Sequence, residues 1–396
     1  MSDSNHLTAI IVGGGIGGLA VALGFRRIGI KPLVFEQAPQ VQEVGAGISL
    51  WSNAIKALRQ LGVGDQVAAQ GAVIETVKSI TLSGEFLNEA NFSQLSRRAG
   101  APSICVHRAD LYKTLAEQLP PEVVSTNAHC EGFKLLPDAV EASFSNNRSV
   151  RGDVLIGADG IHSVIRRQLK GESKPRYAGY TEWRAVIEFE DPDLPAGTAL
   201  FALGAGIQFG MLHCGRGRVY WFATKNQAPG NLVPQMRRRQ RVLSILEGCH
   251  PVIRKVVSET ADEQILQNDI MDRPPTWPWG EGRVTTLGDA IHPTTPNMGQ
   301  GACQAIEDAV TLADSLRSIK HVEKSLRSYE KLRRNRTAFI TRQSWSFGRI
   351  LQWQNPLAIW ARNKLFASGL VRSQRIKIFE RLLLHDVPEI CGRADR

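Results

Sequence analysis

A glycine-rich turn close to the amino terminus constrains this chain more than any other feature. The turn contains Gly13, Gly15 and Gly18; an apolar run precedes it, and a second apolar run ends on Glu36. A strand, a glycine turn, a helix and a second strand make the βαβ unit in which backbone N–H groups approach a pyrophosphate. The carboxylate at Glu36 has the spacing needed to accept hydrogen bonds from ribose hydroxyls. We therefore expect a dinucleotide site here, with a purely structural βαβ turn as the alternative.

Length and composition favour a globular protein of more than one domain. The 396 residues suit two domains and a terminal extension, and the longest apolar run is too short to span a membrane. Residues 1–6 lack the basic start of a secretory signal. The cysteines have neither metal-ligand nor C-x-x-C spacing, so we interpret them as reduced thiols of a cytoplasmic protein. They are Cys105, Cys130, Cys214, Cys249, Cys303 and Cys391.

Positive charge is concentrated in the last fifth of the chain. The formal net charge is +10, and from Ser315 onward 18 Lys/Arg face 6 Asp/Glu, together with Trp345, Trp353 and Trp360. The first interpretation is a solvated basic face on helices whose apolar side packs on the body. The alternative is peripheral contact with an anionic membrane surface. We expect no nucleic-acid partner, because no binding module accompanies the charge.

The order of apolar patterns predicts two interleaved domains. A helix is expected from Asn53 to Leu61, a buried strand within Arg151–Gly160, and a β-hairpin around Gly215–Gly217. We assign residues 1–72, 100–175 and 270–340 to a discontinuous nucleotide-binding domain. Residues 73–99 and 176–269 form a β-sheet domain for the substrate, and residues 341–396 form a C-terminal helical extension.

Two further segments carry chemistry. In the first, an apolar strand ends on Asp159 and Gly160, although Asp159 or Ser163 could instead simply cap the following helix. In the second, Asp289 ends a strand, Pro296 rigidifies a loop, and residues 299–301 open a helix. A helix start beside a cofactor places N–H donors and positive potential where negative charge accumulates.

These three segments, in this order, resemble the FAD-dependent aromatic hydroxylases of the para-hydroxybenzoate hydroxylase type over residues 8–365. The runs Tyr180–Arg184 and Pro296–Gly301 are most similar to the branch that holds urate hydroxylase, salicylate-type hydroxylases and zeaxanthin epoxidase. The resemblance implies an α/β fold: a Rossmann-like FAD-binding domain interleaved with a β-sheet substrate domain, plus C-terminal helices. It also implies a monooxygenase that consumes NAD(P)H and O2 and hydroxylates or epoxidises an aromatic or olefinic small molecule through a flavin C4a-hydroperoxide.

The resemblance also implies which residues contact the cofactor. Those at the FAD pyrophosphate, the adenosine ribose and the flavin are Gly13, Gly15, Gly17, Gly18, Glu36, Gln37, Ser49, Arg108, Cys130 through its backbone, Asp159, Gly160 and Asp289. The isoalloxazine ring would be bordered by Pro296, Met298, Gly299, Gln300 and Gly301. We expect non-covalent FAD, because no attachment residue is recognisable. NAD(P)H would bind transiently, because no second dinucleotide fingerprint is present.

The predicted hairpin supplies candidates for the substrate pocket. Because strand neighbours alternate in direction, one face of it carries Gln208, Gly210, Leu212, Tyr220 and Phe222. With Pro296, the residues Gln208 and Tyr220 are our candidates for the flavin and substrate pocket, Tyr220 as a hydrogen-bond partner of the substrate.

The resemblance also shows where this chain departs from its relatives. Gln208 and Asn297 stand where the urate enzymes place an arginine and an aspartate. A neutral, larger or more apolar substrate is therefore expected, although the alternation leaves the face of Arg184 open.

Two rival functions follow from the same sequence. One is an FAD-dependent dehydrogenase or reductase without oxygen insertion, and the other is a non-catalytic flavin-binding protein. The histidines are not spaced as metal ligands, so no metal is expected. The sequence is compatible with a monomer or a homodimer.

Overall fold

The structure of this protein is a computed structural model that describes residues 7–39, 46–145, 147–318 and 321–390. Residues 1–6 and Cys391, on which two of the interpretations above rest, lie outside these ranges. In chain order, the strands are β1 Thr8–Val12, β2 Lys31–Phe35, β3 Gly47–Leu50, β4 Ala72–Val73, β5 Thr76–Thr81, β6 Phe86–Asn91, β7 Ile104–His107, β8 Val124–Ser125, β9 Cys130–Leu135, β10 Val140–Phe144, β11 Arg148–Gly152, β12 Val154–Gly157, β13 Arg176–Glu188, β14 Thr198–Leu203, β15 Ile207–His213, β16 Arg218–Asn226, β17 Leu266–Asp272 and β18 Val284–Thr286.

Helices connect and cover these strands. They are α1 Ile16–Arg27, α2 Ser52–Gln60, α3 Gly64–Gln70, α4 Ser93–Ala99, α5 Arg108–Glu117, α6 Val164–Lys170, α7 Arg238–Ile245, α8 Pro251–Glu259, α9 Gly301–Ser318, α10 Val322–Leu351, α11 Pro356–Ala367 and α12 Gly369–Leu383. Short 3₁₀ turns also occur at Pro121–Val123, Gln235–Arg237, Asp262–Gln264, Gly288–Ala290 and Pro296–Met298.

A five-stranded parallel sheet, in the order β18-β12-β1-β2-β8, forms the centre of the nucleotide half. Alternate residues of β1 serve its two faces. Ala9 and Ile11 pack toward α1 and α9, whereas Ile10 and Val12 pack against the antiparallel sheet β11-β10-β9. Because both faces are covered, β1 and β12 are mostly apolar, which is typical of the central strands of parallel sheets.

A second, seven-stranded sheet in the order β17-β13-β16-β15-β14-β5-β6 forms the other half. One face packs Trp183, Phe209 and Trp221 against Val242 of α7 and Val256 of α8. The opposite face turns toward the nucleotide half. The small sheet β3-β7-β4 joins the two halves.

The predicted fold class is confirmed, and three local differences from the expected elements have physical causes. The segment 151–160 is two strands, because Asp153 leaves the sheet to accept a hydrogen bond from the Thr8 N–H at 2.7 Å. Asp289 lies in a 3₁₀ turn after β18, not at the strand end itself. The proposed boundary at residue 340 falls within α10, so the division into domains stays a prediction.

No helix among the described residues is both long enough and apolar enough to cross a membrane. The same ranges contain no group of three or more His, Cys, Asp or Glu side chains arranged to hold a metal ion.

Candidate active site

The glycine turn between β1 and α1 is held by backbone hydrogen bonds that leave the helix start open. The Gly13 N–H donates to the Phe35 carbonyl at 2.8 Å, with Gly13 at φ +105°. Within the described part of the chain, no side chain caps α1, so its first-turn N–H groups remain available to an anion. Glu36 accepts hydrogen bonds from the Gly14 N–H at 2.7 Å and the Ala38 N–H at 2.9 Å, which fixes its carboxylate beside the turn.

The glycines of this turn are required for different reasons. A Cβ added at Gly18 would lie 1.9 Å from the Gly13 carbonyl oxygen, and one at Gly17 would lie 3.0 Å from Leu287 Cδ1. Glycine at positions 17 and 18 therefore lets α1 pack closely against Leu287 and against the Gly13 backbone. A Cβ at Gly15 would meet no atom within 4 Å. The open space beside the uncapped helix start is therefore at Gly15, and it fits the pyrophosphate of a dinucleotide.

Asp159 and Gly160 lie after β12, at the same edge of the parallel sheet. Asp159 Oδ2 accepts hydrogen bonds from the Val164 and Ile165 N–H groups at 2.8 and 3.3 Å, and Ser163 Oγ accepts one from the Arg166 N–H at 2.9 Å. Both capping interactions that the sequence left open are thus present. Burial raises the pKa of Asp159, and its Oδ1 is buried without a hydrogen-bond partner among the described atoms.

A cavity of about 410 Å³ lies between the seven-stranded sheet on one side and β3, the segment 294–302 and the C-terminal helices on the other. Small-molecule sites in proteins have volumes of about 300–1,000 Å³. Predicted site residues that line it are Ser49, Arg108, Gln208, Tyr220, Asp289, Pro296, Met298, Gly299 and Gly301. Large apolar side chains that also line it include Val77, Phe92, Phe201, Leu203, Leu212, Phe222, Phe347, Leu351, Phe366, Ile376 and Phe379.

The nucleotide end of the cavity carries one cation and one anion. Arg108 begins α5, where its N–H donates to the Ala46 carbonyl at 2.8 Å, and its side chain lines the cavity. Burial lowers the pKa of Arg108 and raises the pKa of Asp289. The Asp289 carboxylate acts in the opposite direction on the pKa of Arg108, and the Arg108 guanidinium does so on the pKa of Asp289. A polar pair of this kind fits the hydroxyl-bearing and phosphate-bearing part of FAD.

The segment from Pro296 to Gly301 forms a tight wall. Pro296–Met298 is a 3₁₀ turn closed by the Gly299 N–H, which donates to the Pro296 carbonyl at 2.9 Å. Gly299 has φ +60°, and a Cβ there would lie 2.9 Å from Trp51 Nε1. The turn delivers the amino terminus of the 18-residue helix α9, which begins at Gly301, to the cavity. Donors at a helix start fit the anionic form of a reduced flavin.

Like the residues of the glycine turn, Glu36, Asp159 and Gly160, three further predicted residues do not line the cavity. The Gln300 side chain is buried and accepts hydrogen bonds from Asn53 and Gln304. Gln37 lies on the surface, where its Oε1 is 3.3 Å from His129 Nδ1. Cys130 is buried in β9, where burial raises the pKa of its thiol to about 11. Their part in cofactor binding stays a prediction.

Rows of cross-strand neighbours build the floor of the cavity. Gln208 pairs with Thr224, and Thr224 with Glu182. In the next rows Phe222 pairs with Gly210, and Tyr220 with Leu212. Burial raises the pKa of Tyr220 well above its usual value, so its phenol stays protonated at ordinary pH. A Cβ at Gly47 would lie 2.3 Å from Tyr220 Cγ, so the Tyr220 ring leaves no space for a side chain at position 47.

Arg184 faces the cavity but its charge is paired. Its Nη1 donates to Glu182 Oε2 at 2.7 Å and its Nη2 to Asn268 Oδ1 at 3.1 Å. Burial lowers the pKa of Arg184, but the Glu182 carboxylate outweighs this and raises it overall. Asn297, at the opposite wall, donates from Nδ2 to the Tyr180 hydroxyl at 2.8 Å.

Sequence reasoning missed a buried charge cluster behind the helix start. Arg333 of α10 donates to Glu307 Oε2 at 2.5 Å and Asp308 Oδ1 at 2.7 Å, and Arg336 also pairs with Glu307. Asp308 Oδ2 in turn accepts a hydrogen bond at 3.0 Å from the N–H of Gly288, the residue that precedes Asp289. Adjacent acids within an apolar helical run are the signal that could have indicated it, because such acids need buried partners.

A Rossmann-type parallel sheet with an open glycine turn, and a cavity closed by a second sheet, define a flavin-dependent oxidoreductase. Comparisons with known proteins agree. Residues 6–344 match the family described as FAD binding domain. The chain is 39% identical to the aurachin C monooxygenase/isomerase of Stigmatella aurantiaca, over 96% of this chain and 99% of that relative.

Two further comparisons show the same relationship. The chain is 33% identical to the zeaxanthin epoxidase of Oryza sativa subsp. japonica, over 84% of this chain and 53% of that longer relative. The structure of Klebsiella pneumoniae HpxO complexed with FAD and uric acid superposes with a TM-score of 0.90 and 27% identity, over 96% of this chain and 97% of that chain. The chain therefore belongs to the family of FAD-dependent monooxygenases, and the family predicted from its three segments is confirmed.

Proposed function

We propose that this protein uses NAD(P)H and O2 to insert one oxygen atom into a neutral, largely apolar aromatic or olefinic molecule. The observation that carries the proposal is the charge balance of the cavity. Its charged lining residues, among those the structure describes, are Arg108, Glu182, Arg184 and Asp289, so two cations stand beside two anions. Since no positive charge is left over, an anionic substrate would be desolvated without an unpaired cation to compensate it.

The shape of the lining supports the same substrate class. Aromatic and aliphatic side chains from the sheet, from α10 and from the last two helices extend the cavity away from the predicted flavin position. An aromatic head held at Pro296 and Gln208 would leave room for an apolar substituent along Phe201 and Leu203. The related aurachin C monooxygenase/isomerase makes aurachin C the first compound to test.

Bound FAD would supply the redox chemistry, which is electron transfer from NAD(P)H and activation of O2, with one oxygen atom entering the product and the other released as water. The protein's own residues do the rest. Asp289 and Arg108 hold the polar part of the cofactor, and the start of α9 offers N–H donors to negative charge. The protonated Tyr220 hydroxyl and the Gln208 amide orient the substrate, while the apolar wall excludes water.

The test is a panel assay with purified, FAD-loaded protein. Aurachin C, neutral phenols and olefins, salicylate and urate are compared for stimulated oxidation of NADH and of NADPH, with product detected by mass spectrometry under ¹⁸O2. We expect a neutral apolar compound to stimulate turnover and to gain one labelled oxygen. Tightly coupled turnover of urate or salicylate alone would refute the neutral-substrate proposal. Reduction of the flavin without label in any product would support the rival reductase.

We also propose that the FAD is held without a covalent bond. The protein should be yellow as purified, and heat precipitation should release the flavin into the supernatant. Flavin that stays with the precipitated chain would contradict this expectation.

A further inference from the structure

Helix α11 presents an apolar face to solvent. Leu357, Trp360 and Leu365 are 77%, 63% and 51% exposed. Large apolar side chains scattered singly over a surface are ordinary, but these lie within about two and a half turns of one helix. An exposed cluster of this kind indicates a binding surface.

The inner face of the same helix is firmly attached to the body, which fixes the direction of the exposed face. Phe366 is buried, and its carbonyl accepts a hydrogen bond from Asn88 Nδ2 at 2.9 Å. Arg362 is also buried and donates to the Leu351 carbonyl at 2.9 Å. The helix start is capped by Asn355, whose Oδ1 accepts hydrogen bonds from the first-turn N–H groups. The body of the protein therefore covers the inner side of α11, and Leu357, Trp360 and Leu365 are left exposed.

Positive charge predominates in the sequence of these two helices. Residues 353–383 contain six Lys/Arg and one acidic residue, Glu380, which pairs with Arg98. Lys364 stands exposed beside Leu365, and Lys377 is exposed on α12. Lys364 lies one turn after Trp360 on the exposed side of α11, and its long side chain can place the charge at the headgroups while Leu357 and Trp360 contact acyl chains, which matches the two layers of an anionic lipid surface.

The position of the face relative to the cavity gives it a use. Phe366 of α11 and Ile376 and Phe379 of α12 line the cavity, and Ile376 is also exposed. The two helices therefore separate the cavity from the apolar outer face by one layer of side chains. These residues lie outside the range 6–344 that matches the family.

We propose that α11, together with the exposed Ile376 and Lys377 of α12, docks on an anionic lipid bilayer, with α11 lying in the interface and the cavity wall formed by Phe366, Ile376 and Phe379 turned toward the membrane. With 12 residues, α11 lies in the membrane surface and does not cross the bilayer. Leu357 and Trp360 enter the acyl boundary, and Lys364 contacts the lipid headgroups. The docking follows from the surface alone; delivery of an apolar substrate from the bilayer rests additionally on the proposed function.

The experiment is flotation of the FAD-loaded full chain with vesicles of phosphatidylglycerol and phosphatidylcholine, or of phosphatidylcholine alone. The test variant carries Leu357→Ser and Trp360→Ser. Its matched control carries Leu232→Ser and Met236→Ser, two residues of similar exposure, 63% and 68%, that lie outside α11 and α12. Flavin absorbance and melting temperature confirm that each variant is folded.

We expect the wild type and the control to float with the anionic vesicles and to float less with the neutral ones. The affinity of the test variant for anionic vesicles should fall by about tenfold or more, because the variant loses two apolar anchors. Lys364→Glu should also weaken binding about tenfold, and added salt should weaken that of the wild type.

Flotation of the test variant equal to that of the control would refute the proposal. So would a wild-type dimer that this variant dissociates, with no vesicle binding, since the face would then join two copies of the chain. Turnover of soluble substrates is measured in parallel, so failure of the docking is distinguishable from failure of the proposed function.

Discussion

Arg184 donates a hydrogen bond to the carboxylate of Glu182 across 2.7 Å, inside the wall of the cavity. The two residues stand two positions apart on β13, so they share one face of the strand. This pair decides what Arg184 can do: its guanidinium points where an anionic substrate would need a cation, yet it is already engaged. The cavity therefore contains an arginine whose positive charge is paired with Glu182 and is not free to bind an anionic substrate.

Removing the Glu182 charge should release Arg184 to anions. We expect Glu182→Gln to raise kcat/KM for salicylate by about tenfold, because a charge-assisted hydrogen bond contributes about 1.5–3 kcal/mol, part of which the strain of repacking offsets. The measurement is salicylate-stimulated NAD(P)H oxidation with quantified product. The double variant Glu182→Gln with Arg184→Gln is the control and should lose the gain. Equal rates in wild type and Glu182→Gln would show that Arg184 does not face the substrate.

Much of this arrangement could be predicted from local pattern. The glycine turn and the strands that flank it are coded by adjacent residues, and the hairpin by Gly215–Gly217, which joins β15 to β16 as expected. Because side chains alternate along a strand, the same pattern placed Gln208, Tyr220 and Phe222 on the cavity side together.

What the sequence could not supply depends on packing between distant segments. Glu307 and Arg333 meet only because α9 packs against α10, and Asn53 reaches Glu307 from a third helix, with Nδ2 2.6 Å from Oε1. The pairing of Arg184 with Glu182 depends on the strand face that Arg184 occupies and on the rotamer of its side chain, and the sequence pattern specifies no rotamer. Nothing in the periodicity indicated that Asp153, between β11 and β12, would accept a hydrogen bond from the distant Thr8 N–H.

Gly15 and Gly18 should respond differently to substitution, although both belong to the fingerprint. The side chain introduced by Gly15→Val would enter open space, so this variant should fold with a near-native melting temperature and yet retain little FAD. Gly18→Ala, by contrast, should lose stability, because its Cβ would lie 1.9 Å from a backbone carbonyl. The measurements are the ratio of flavin to protein absorbance and thermal unfolding of the FAD-free proteins. Full flavin content in Gly15→Val would place the pyrophosphate elsewhere.

Asp289 should hold the cofactor by hydrogen bonds to hydroxyl groups. We expect Asp289→Ala to weaken FAD binding by about 1–3 kcal/mol, which corresponds to about five- to 150-fold in Kd. Flavin titration of FAD-depleted protein measures this. Asp289→Asn keeps the acceptor oxygen and should lose less. Unchanged affinity in the alanine variant would mean that the Gly288–Ala290 turn does not face the cofactor.

The buried charge cluster should make stability depend on pH in a defined direction. Burial alone raises the pKa of Glu307, but Arg333 and Arg336 outweigh it and hold that pKa well below its usual range; the pKa of Asp308 is lowered as well, by His292 and Arg333. Carboxyl groups with a lowered folded-state pKa contribute stability above their unfolded pKa values, and the contribution is lost as pH falls toward the folded values. Arg333→Met should therefore cost about 3–5 kcal/mol at neutral pH, because it leaves buried carboxylates short of a partner.

The difference between Arg333→Met and wild type should shrink on acidification below about pH 4.5, where the unfolded chain protonates its carboxyl groups and the wild type loses its advantage. Urea unfolding at neutral pH and at successive values down to about pH 3 measures it. Arg334→Met is the matched control, since that guanidinium lies 4.8 Å from the Trp277 ring centre at the half-exposed surface. This variant should lose about 1 kcal/mol or less, with little dependence on pH. A penalty for Arg333→Met that stays constant over this range would show that the arginine stabilises α9 and α10 by packing and not through its charge.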